Sequence, residues 1–103
     1  NVNVHSIHFD ADVKLVGFIK DKLSKLTQFH DSILNGEVFL RLNKDTEHHE
    51  NKVVEIRLAV PGRELFAKRH SKSFEEATDQ AVDALRRQAQ RNKVRLRDAA
   101  EPS

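Results

Sequence analysis

The sequence predicts a two-layer α+β sandwich with the element order β-α-β-β-β-α, in which two helices cover one face of a four-stranded mixed sheet. Two segments carry apolar residues at helical spacing, one after the first strand and one near the end of the chain. Four short segments alternate apolar with polar residues, as strands do when only one face is buried. The 103 residues suit one domain with one modest core.

The first strand and the first helix are predicted within residues 2–29. Val2-Asn3-Val4-His5 alternates apolar and polar residues, and Asp10 or Asp12 can then cap a helix that ends near Phe29. The apolar stripe of this helix consists of Leu15, Val16, Ile19, Leu23 and Leu26. Because a helix separates the first two strands, we expect these strands to pair in parallel.

Three further strands are expected to form an antiparallel meander. The polar stretch 44–51 separates the second strand from the third, and the turn signal Pro61-Gly62 separates the third from the fourth. Glu55 and Arg57 should point outward from the third strand. The inner positions of the three strands are Val38, Leu40, Leu42, Val54, Ile56, Leu58, Val60, Leu65 and Ala67.

The last helix is predicted to begin at Ser73, which Glu76 follows at the spacing of a capping box. Its buried side is marked by Phe74, Thr78, Ala81, Leu85, Ala89 and Leu96. We expect the domain to span residues 1–98 and residues 99–103 to form a disordered tail.

Charge along this helix is strongly polarised, although the net charge of the chain is only +2. Residues 74–85 hold four acids and no base, whereas residues 86–97 hold six Arg or Lys and no acid. A helix dipole favours bases only within the last turn, and this basic block covers about three turns. The block therefore suits a polyphosphate such as nucleic acid, although from the residues alone a solvated helix end is an equal alternative. Asp79 and Asp83 are read as solubilising acids, with Asp83 placed to pair with Arg87.

Several function classes have no support in the sequence. The chain has no Cys, which excludes a disulfide, a thiolate nucleophile and a Cys-ligated metal, and suits a cytoplasmic protein. No apolar run approaches the roughly 20 residues that span a bilayer, and no signal peptide is visible. Since no catalytic or phosphate-cradling motif occurs, we expect neither an enzyme nor a cofactor or small-molecule substrate.

The histidines do not predict a metal site. His5 and His8 should point to opposite faces of the sheet, and His48-His49 lie in the polar loop without a nearby third ligand. His70 is expected to join a basic surface with Lys68 and Arg69.

Five segments resemble one known family. They are Val2-Asn3-Val4, the helix segment Ile19–Leu26, Asp31-Ser32-Ile33, the segment Phe74–Asp83, and Leu85-Arg86-Arg87-Gln88 followed by a basic helix end. By their order, spacing and length, the chain from Val2 to Arg97 resembles the bacterial hibernation promoting factor family. These ribosome-associated inhibitors also carry the older label of sigma-factor modulation proteins.

The resemblance implies a protein that binds the small ribosomal subunit and its rRNA in the mRNA and tRNA channel. It implies inhibition of translation in starved or stationary cells by occupancy, without chemistry. Basic residues of the two helices would then face rRNA, with Arg86 a weaker match because members often have a non-basic residue there. The expected RNA-binding residues are Lys22, Lys25, Lys68, Arg86, Arg87, Arg91, Lys93 and Arg95.

Some alternatives remain open at the level of sequence. Long family members carry a second domain that pairs ribosomes, so we expect either a short member or an isolated N-terminal domain, and ribosome dimer formation stays undecided. A general double-stranded RNA-binding module is a second reading, but its last helix would be basic at the N-terminal end. A protein-interaction domain that modulates a transcription factor is a third.

Phe39 and Phe66 are expected on the open sheet face. We favour the interpretation that they pair with each other or cover Arg and Lys stems over the interpretation that they stack on a base.

Overall fold

A computed structural model describes residues 2–30, 32–43 and 50–100, with side chains through residue 91. The elements within these ranges follow the predicted order and confirm the α+β class. They are β1 (Val2–Ser6), α1 (Val13–Phe29), β2 (Asn35–Leu42), β3 (Lys52–Val60), β4 (Arg63–Ser71) and α2 (Phe74–Ala100). Helix α2 continues to Ala100, past the expected boundary at residue 98, and residues 101–103 lie outside the described residues.

The sheet has the strand order β1-β2-β3-β4 within the described part of the chain. Strand β1 pairs with β2 in parallel, with Val4 opposite Val38. This arrangement follows from the helical crossover, which reverses the chain twice between the two strands. Strands β2, β3 and β4 pair antiparallel, with Leu40 opposite Val54 and Ile56 opposite Ala67. Both predicted modes of pairing are confirmed.

Helix caps and one turn fix where the elements begin. The Asp12 carboxylate accepts a hydrogen bond of 3.1 Å from the Lys14 N–H and so caps α1. The Ser73 hydroxyl accepts one of 3.1 Å from the Glu76 N–H at the start of α2. Gly62 has a φ of 80° in the turn between β3 and β4, a conformation that side chains disfavour.

The core lies between the inner face of the sheet and the apolar sides of α1 and α2. Its largest fully buried side chains include Ile19, Leu23, Leu26, Leu40, Ile56, Leu58, Leu65 and Leu85. Nearly every predicted inner strand position is buried. Leu42 is the exception at 39% exposed, because it is the last residue of β2.

Helix α2 meets the sheet through small side chains. Ala77, Ala81 and Ala89 are buried on its inner face, and they let the helix approach β3 and β4 closely. Leu85 is the largest fully buried side chain among the described residues of α2. One leucine therefore supplies much of the apolar area that holds this helix on the sheet.

The open face of the sheet carries a row of interlocked rings and charges. The His5 ring stacks on Phe39 with centroids 5.0 Å apart, and the Arg57 guanidinium lies 5.7 Å from the centroids of both Phe39 and Phe66. Both rings thus contact a basic side chain, which is one of the two arrangements expected for them. Each such contact is worth roughly 0.5–1 kcal/mol at an exposed site.

Glu55 is buried although it points to this open face, as predicted for its side of β3. Arg41 and Arg57 lie 2.7 Å and 3.1 Å from its two carboxylate oxygens, and they leave the residue only 7% exposed. A carboxylate can be buried in this way because both oxygens accept charge-assisted hydrogen bonds.

Glu37 lies at the other end of this face, and its neighbours lower its pKa. Hydrogen bonds from His5 first, and then from Asn3, lower the pKa of Glu37 below its ordinary value of 4.5. A lowered folded-state pKa stabilises the fold above the unfolded pKa, and this stabilisation is lost as pH falls through the folded-state pKa. We expect His5→Phe, which keeps a ring on Phe39, to raise the pKa of Glu37 toward 4.5.

Carboxyl-carbon NMR titration of the wild type and of His5→Phe would measure this shift. Glu64 is exposed on the same face and provides the internal reference signal. An unchanged pKa for Glu37 in the variant would contradict the assigned cause.

Candidate nucleic-acid interface

The basic half of α2 presents an exposed row of cations, which we call the α2 basic surface. Its described members are Arg86, Arg87 and Arg91, all of which are exposed. Lys93, Arg95 and Arg97 follow on the same helix, with side chains outside the described set. Because the helix is continuous to Ala100, residues 87, 91 and 95 recur at the i, i+4 spacing of one helical face.

Ion pairs within this surface are weak and exchangeable. Asp83 lies 3.7 Å from Arg86 and 3.5 Å from Arg87, and the arginine side chains remain 58% and 65% exposed. The predicted pairing of Asp83 with Arg87 is confirmed. Exposed pairs of this kind contribute about 0–1 kcal/mol, so a phosphate can replace the carboxylate at little cost. Arg91 forms no ion pair within the part of the chain whose side chains are described.

A shallow depression lies between Arg87 and Arg91, and Ala84 and Gln88 complete its lining. Its volume is about 230 Å³. Guanidinium groups keep their charge at any physiological pH and present several N–H donors in a planar fork. The depression therefore suits a single anionic group such as a phosphate of nucleic acid.

Gln88 fixes this part of the helix to the edge of the sheet. Its side-chain Nε2 donates a hydrogen bond of 2.8 Å to the Phe66 carbonyl oxygen, and its Oε1 accepts one of 3.2 Å from the Phe66 N–H. The amide thus satisfies backbone groups on the outer edge of β4, which would otherwise be open to another strand. As a result, the depression between the arginines has a fixed floor.

The α1 lysines lie beside acids rather than beside the α2 basic surface. Lys22 Nζ lies 3.2 Å from Asp79 and 5.5 Å from the centroid of the Phe18 ring. Lys25 lies 3.4 Å from Asp21 and is 64% exposed, so it is the more available of the two lysines. Asp79 lies about 12 Å from Arg87 along the helix axis. The ion pair between Lys22 and Asp79 is therefore separated from the depression.

Lys68 lies on the open face of the sheet, which faces away from α1 and α2. The burial pattern of β4 shows this, because Leu65 and Ala67 are buried under the helices while Phe66 and Lys68 are exposed. The sequence-predicted residues are therefore divided among the α2 basic surface, the α1 lysines and the open face.

Sequence reasoning missed the roles of Gln88 and Arg41. Gln88 looks like an ordinary polar position, and its bond to β4 becomes evident only when the helix is placed against the sheet edge. The sequence did contain a signal for Arg41. Its side chain points outward on β2 by alternation, and the neighbouring strand β3 carries the outward-pointing acid Glu55. The register between the two strands was needed to join them.

Within residues 2–30, 32–43 and 50–91, no group of three or more His, Cys, Asp or Glu side chains is placed to hold a metal ion. None of the described helices is long and apolar enough to cross a membrane. The expectation for His48 and His49 lies outside the described residues.

Comparison with known families decides the relationship. The family described as "Sigma 54 modulation protein / S30EA ribosomal protein" matches residues 2–97. The chain belongs to this family. The resemblance drawn from the sequence motifs is therefore confirmed for nearly the whole chain.

Two relatives show the range of the family. A ribosome hibernation promotion factor from Deinococcus radiodurans is 32% identical over 78 residues, which cover 76% of this chain and 41% of that protein. The match thus spans less than half the length of the Deinococcus protein. A ribosome hibernation promoting factor from Klebsiella oxytoca is 28% identical over 97 residues, covering 94% of this chain and 95% of that one.

Solved structures share the fold at lower identity. A ribosomal subunit interface protein from Coxiella burnetii superposes with a TM-score of 0.80 at 20% identity, over 90% of this chain and 97% of that chain. The N-terminal domain of Protein Y from Thermus thermophilus has a TM-score of 0.72 at 22% identity, over 86% and 93% of the two chains. These likenesses confirm the arrangement of the sheet and helices.

Proposed function

We propose that this protein binds the small ribosomal subunit in the channel for mRNA and tRNA and inhibits translation in starved or stationary cells. The observation that carries the proposal is the exposed α2 basic surface, on which Arg87 and Arg91 flank an anion-sized depression. The names of the relatives as ribosome hibernation factors support the ribosome as partner. Such a partner would place the chain in the cytoplasm.

Binding would act by occupancy and needs no chemical step. The α2 basic surface would neutralise rRNA phosphates, and each neutralised phosphate would release condensed counterions. Contacts of this kind position a protein without reading sequence, so specificity would come from the folded shape of the rRNA. About five phosphate contacts would give log K against log salt a slope near −4.

The proposed phosphate contacts should contribute unequally to the binding free energy. Arg87 and Arg91, followed by Lys93 and Arg95 on the same helix, would make the primary contacts. Lys25 and Arg86 would add to them, and Lys22 would do so only by leaving Asp79. The acidic first turn of α2, with Glu75 and Glu76, disfavours the alternative of a general double-stranded RNA-binding module.

Co-sedimentation with purified ribosomal subunits on sucrose gradients tests the proposal. The protein should migrate with the small subunit at low salt, dissociate as salt rises, and leave the large subunit unbound. A short RNA duplex added in excess should not displace it. Absence from the small-subunit fraction at every salt concentration would overturn the proposal, as would equal displacement by the duplex.

A further inference from the structure

An open concavity of about 660 Å³ lies on the sheet face away from the helices. It occupies the end of the sheet where β1 and β2 finish and β3 begins. Residues from β2, β3, β4 and the segment after β1 line it, among them Ile7, His8, Arg41, Val53, Lys68 and His70. The volume falls within the range of about 300–1,000 Å³ that is typical of small-molecule sites.

Apolar and basic groups are separated within this concavity. Val53 is buried on the open face, and Ile7 also lines the concavity, on the other side of Arg41 in the strand order, so the two provide apolar surface. Arg41 and Lys68 provide two cations, while His8 and His70 add flat imidazole rings. A flat aromatic group with an attached anion is the ligand chemistry that such a lining matches.

Arg41 is held in place by Glu55, in a position from which it can also bind an anionic ligand. Its guanidinium donates a 2.7 Å hydrogen bond to Glu55, which is anchored on its other oxygen by Arg57. Because a guanidinium has five N–H donors, the bond to Glu55 leaves others for a ligand. Lys68 stands directly across from Glu55 in the strand register, yet the carboxylate is already occupied by the two arginines.

The remaining charges near the site leave it cationic. Glu50 is 4.0 Å from the His70 ring, and both side chains are mostly exposed. The two cations that line the concavity are Arg41 and Lys68, and the carboxylate beside them is that of Glu55, which Arg41 binds. Arg57 lies outside the lining, opposite Glu37 in the strand register. A phosphate would supply the missing negative charge.

His8 adopts a strained conformation at the rim. Its φ is 65°, a left-handed value that is unfavourable for a non-glycine residue. The preceding residue is anchored, because the Ile7 N–H donates a 3.0 Å hydrogen bond to the Leu40 carbonyl. The chain therefore turns sharply after β1 and brings the imidazole of His8 to the concavity.

We propose that this concavity binds a nucleoside 5′-phosphate, with its base over Ile7 and Val53 and its phosphate on Lys68 and Arg41. The ligand would be a free nucleotide or one nucleotide of a single-stranded RNA, since both present the same chemistry. The site lies on the face opposite the helices and needs no ribosome. It is thus independent of the function proposed for the α2 basic surface.

Amide-resolved NMR titration of the isolated chain tests this site. Adenosine 5′-monophosphate should shift the amides of Ile7, His8, Val53 and Lys68 while leaving those of residues 84–91 unchanged. Inorganic phosphate should bind more weakly, because it lacks the base. Tighter binding of single-stranded oligo(A) than of the mononucleotide would identify RNA as the source, whereas equal or weaker binding would identify the free nucleotide.

A charge-matched pair of variants makes the test specific. Lys68→Gln should weaken binding of the mononucleotide about tenfold, which corresponds to loss of one charge-assisted contact. Arg63→Gln removes one positive charge from the other end of β4 and should leave binding unchanged. Shifts confined to α2, no shifts at millimolar nucleotide, or equal weakening by both variants would overturn the proposal.

Discussion

Reversing Arg87 and Arg91 to glutamate is expected to weaken binding to the small ribosomal subunit by on the order of a hundredfold. Each exposed arginine would lose a charge-assisted contact to a phosphate, and at about 1.5 kcal/mol each the two losses come to roughly 3 kcal/mol. Repulsion between the new carboxylates and rRNA would add to this loss. Binding of a labelled chain to purified subunits, followed across a salt series, would measure both the affinity and a shallower salt dependence.

The matched control for this variant is Arg63→Glu with Lys72→Glu. Both residues are exposed, and the pair changes the net charge of the chain by the same amount. We expect the control to keep its affinity within about threefold, because long-range electrostatic effects are screened at physiological salt. An equal loss in the two variants would show that net charge drives binding and would contradict a site on α2.

Thermal melts would check the stability of the Arg87→Glu and Arg91→Glu variant. A glutamate at position 87 lies four residues after Asp83, and we expect this repulsion to lower the free energy of unfolding by only a few tenths of a kcal/mol.

Replacing Leu85 with alanine is expected to lower the stability of the fold by about 2–5 kcal/mol. Leu85 is fully buried, and the side chains beside it on the inner face of α2 are mostly alanines that cannot fill the space. For a domain of this size, a loss in that range lowers Tm by roughly 10–25 °C. Circular dichroism melts and urea unfolding would measure the change.

Leu34→Ala provides the control for this truncation. It removes the same atoms from a side chain that is 63% exposed, so we expect a loss below about 1 kcal/mol. Since Leu85 holds the helix that carries Arg87 and Arg91, its replacement should also reduce binding to ribosomal subunits near the melting temperature. A loss as small as that of Leu34→Ala would contradict the assigned packing of α2 on the sheet.

The order of the elements could be predicted because each helix and strand is recognisable from residues that are close together in the sequence. Alternation in β2, β3 and β4, the stripe from Leu15 to Leu26 and the cap at Ser73 each depend on neighbours within a few residues. The parallel pairing of β1 with β2 followed from the helix between them. Leu42 was misjudged because alternation gives the direction of a side chain but not how far the covering helices reach.

The functional surfaces were harder to predict because they depend on contacts between distant segments. The burial of Glu55 requires Arg41 from the neighbouring strand, and the register of that pairing is not written in either strand alone. The separation of Lys22 from the α2 basic surface arises through Asp79 on another helix. Spacing along one helix thus predicted the row of Arg87 and Arg91, whereas tertiary contacts decide which other cations stand near them.

Directed hydroxyl-radical probing from α2 tests the central claim most directly. The chain contains no Cys, so Gln90→Cys would place a single iron chelate on an exposed position beside Arg91. A chelate at Glu64→Cys, exposed on the open sheet face, is the matched control. We expect the probe at residue 90 to cleave small-subunit rRNA strongly at nucleotides lining the mRNA and tRNA channel, and the probe at residue 64 to give a different and weaker pattern. Cleavage from residue 64 alone, or none from residue 90 in a complex that still sediments together, would contradict rRNA binding by the α2 basic surface.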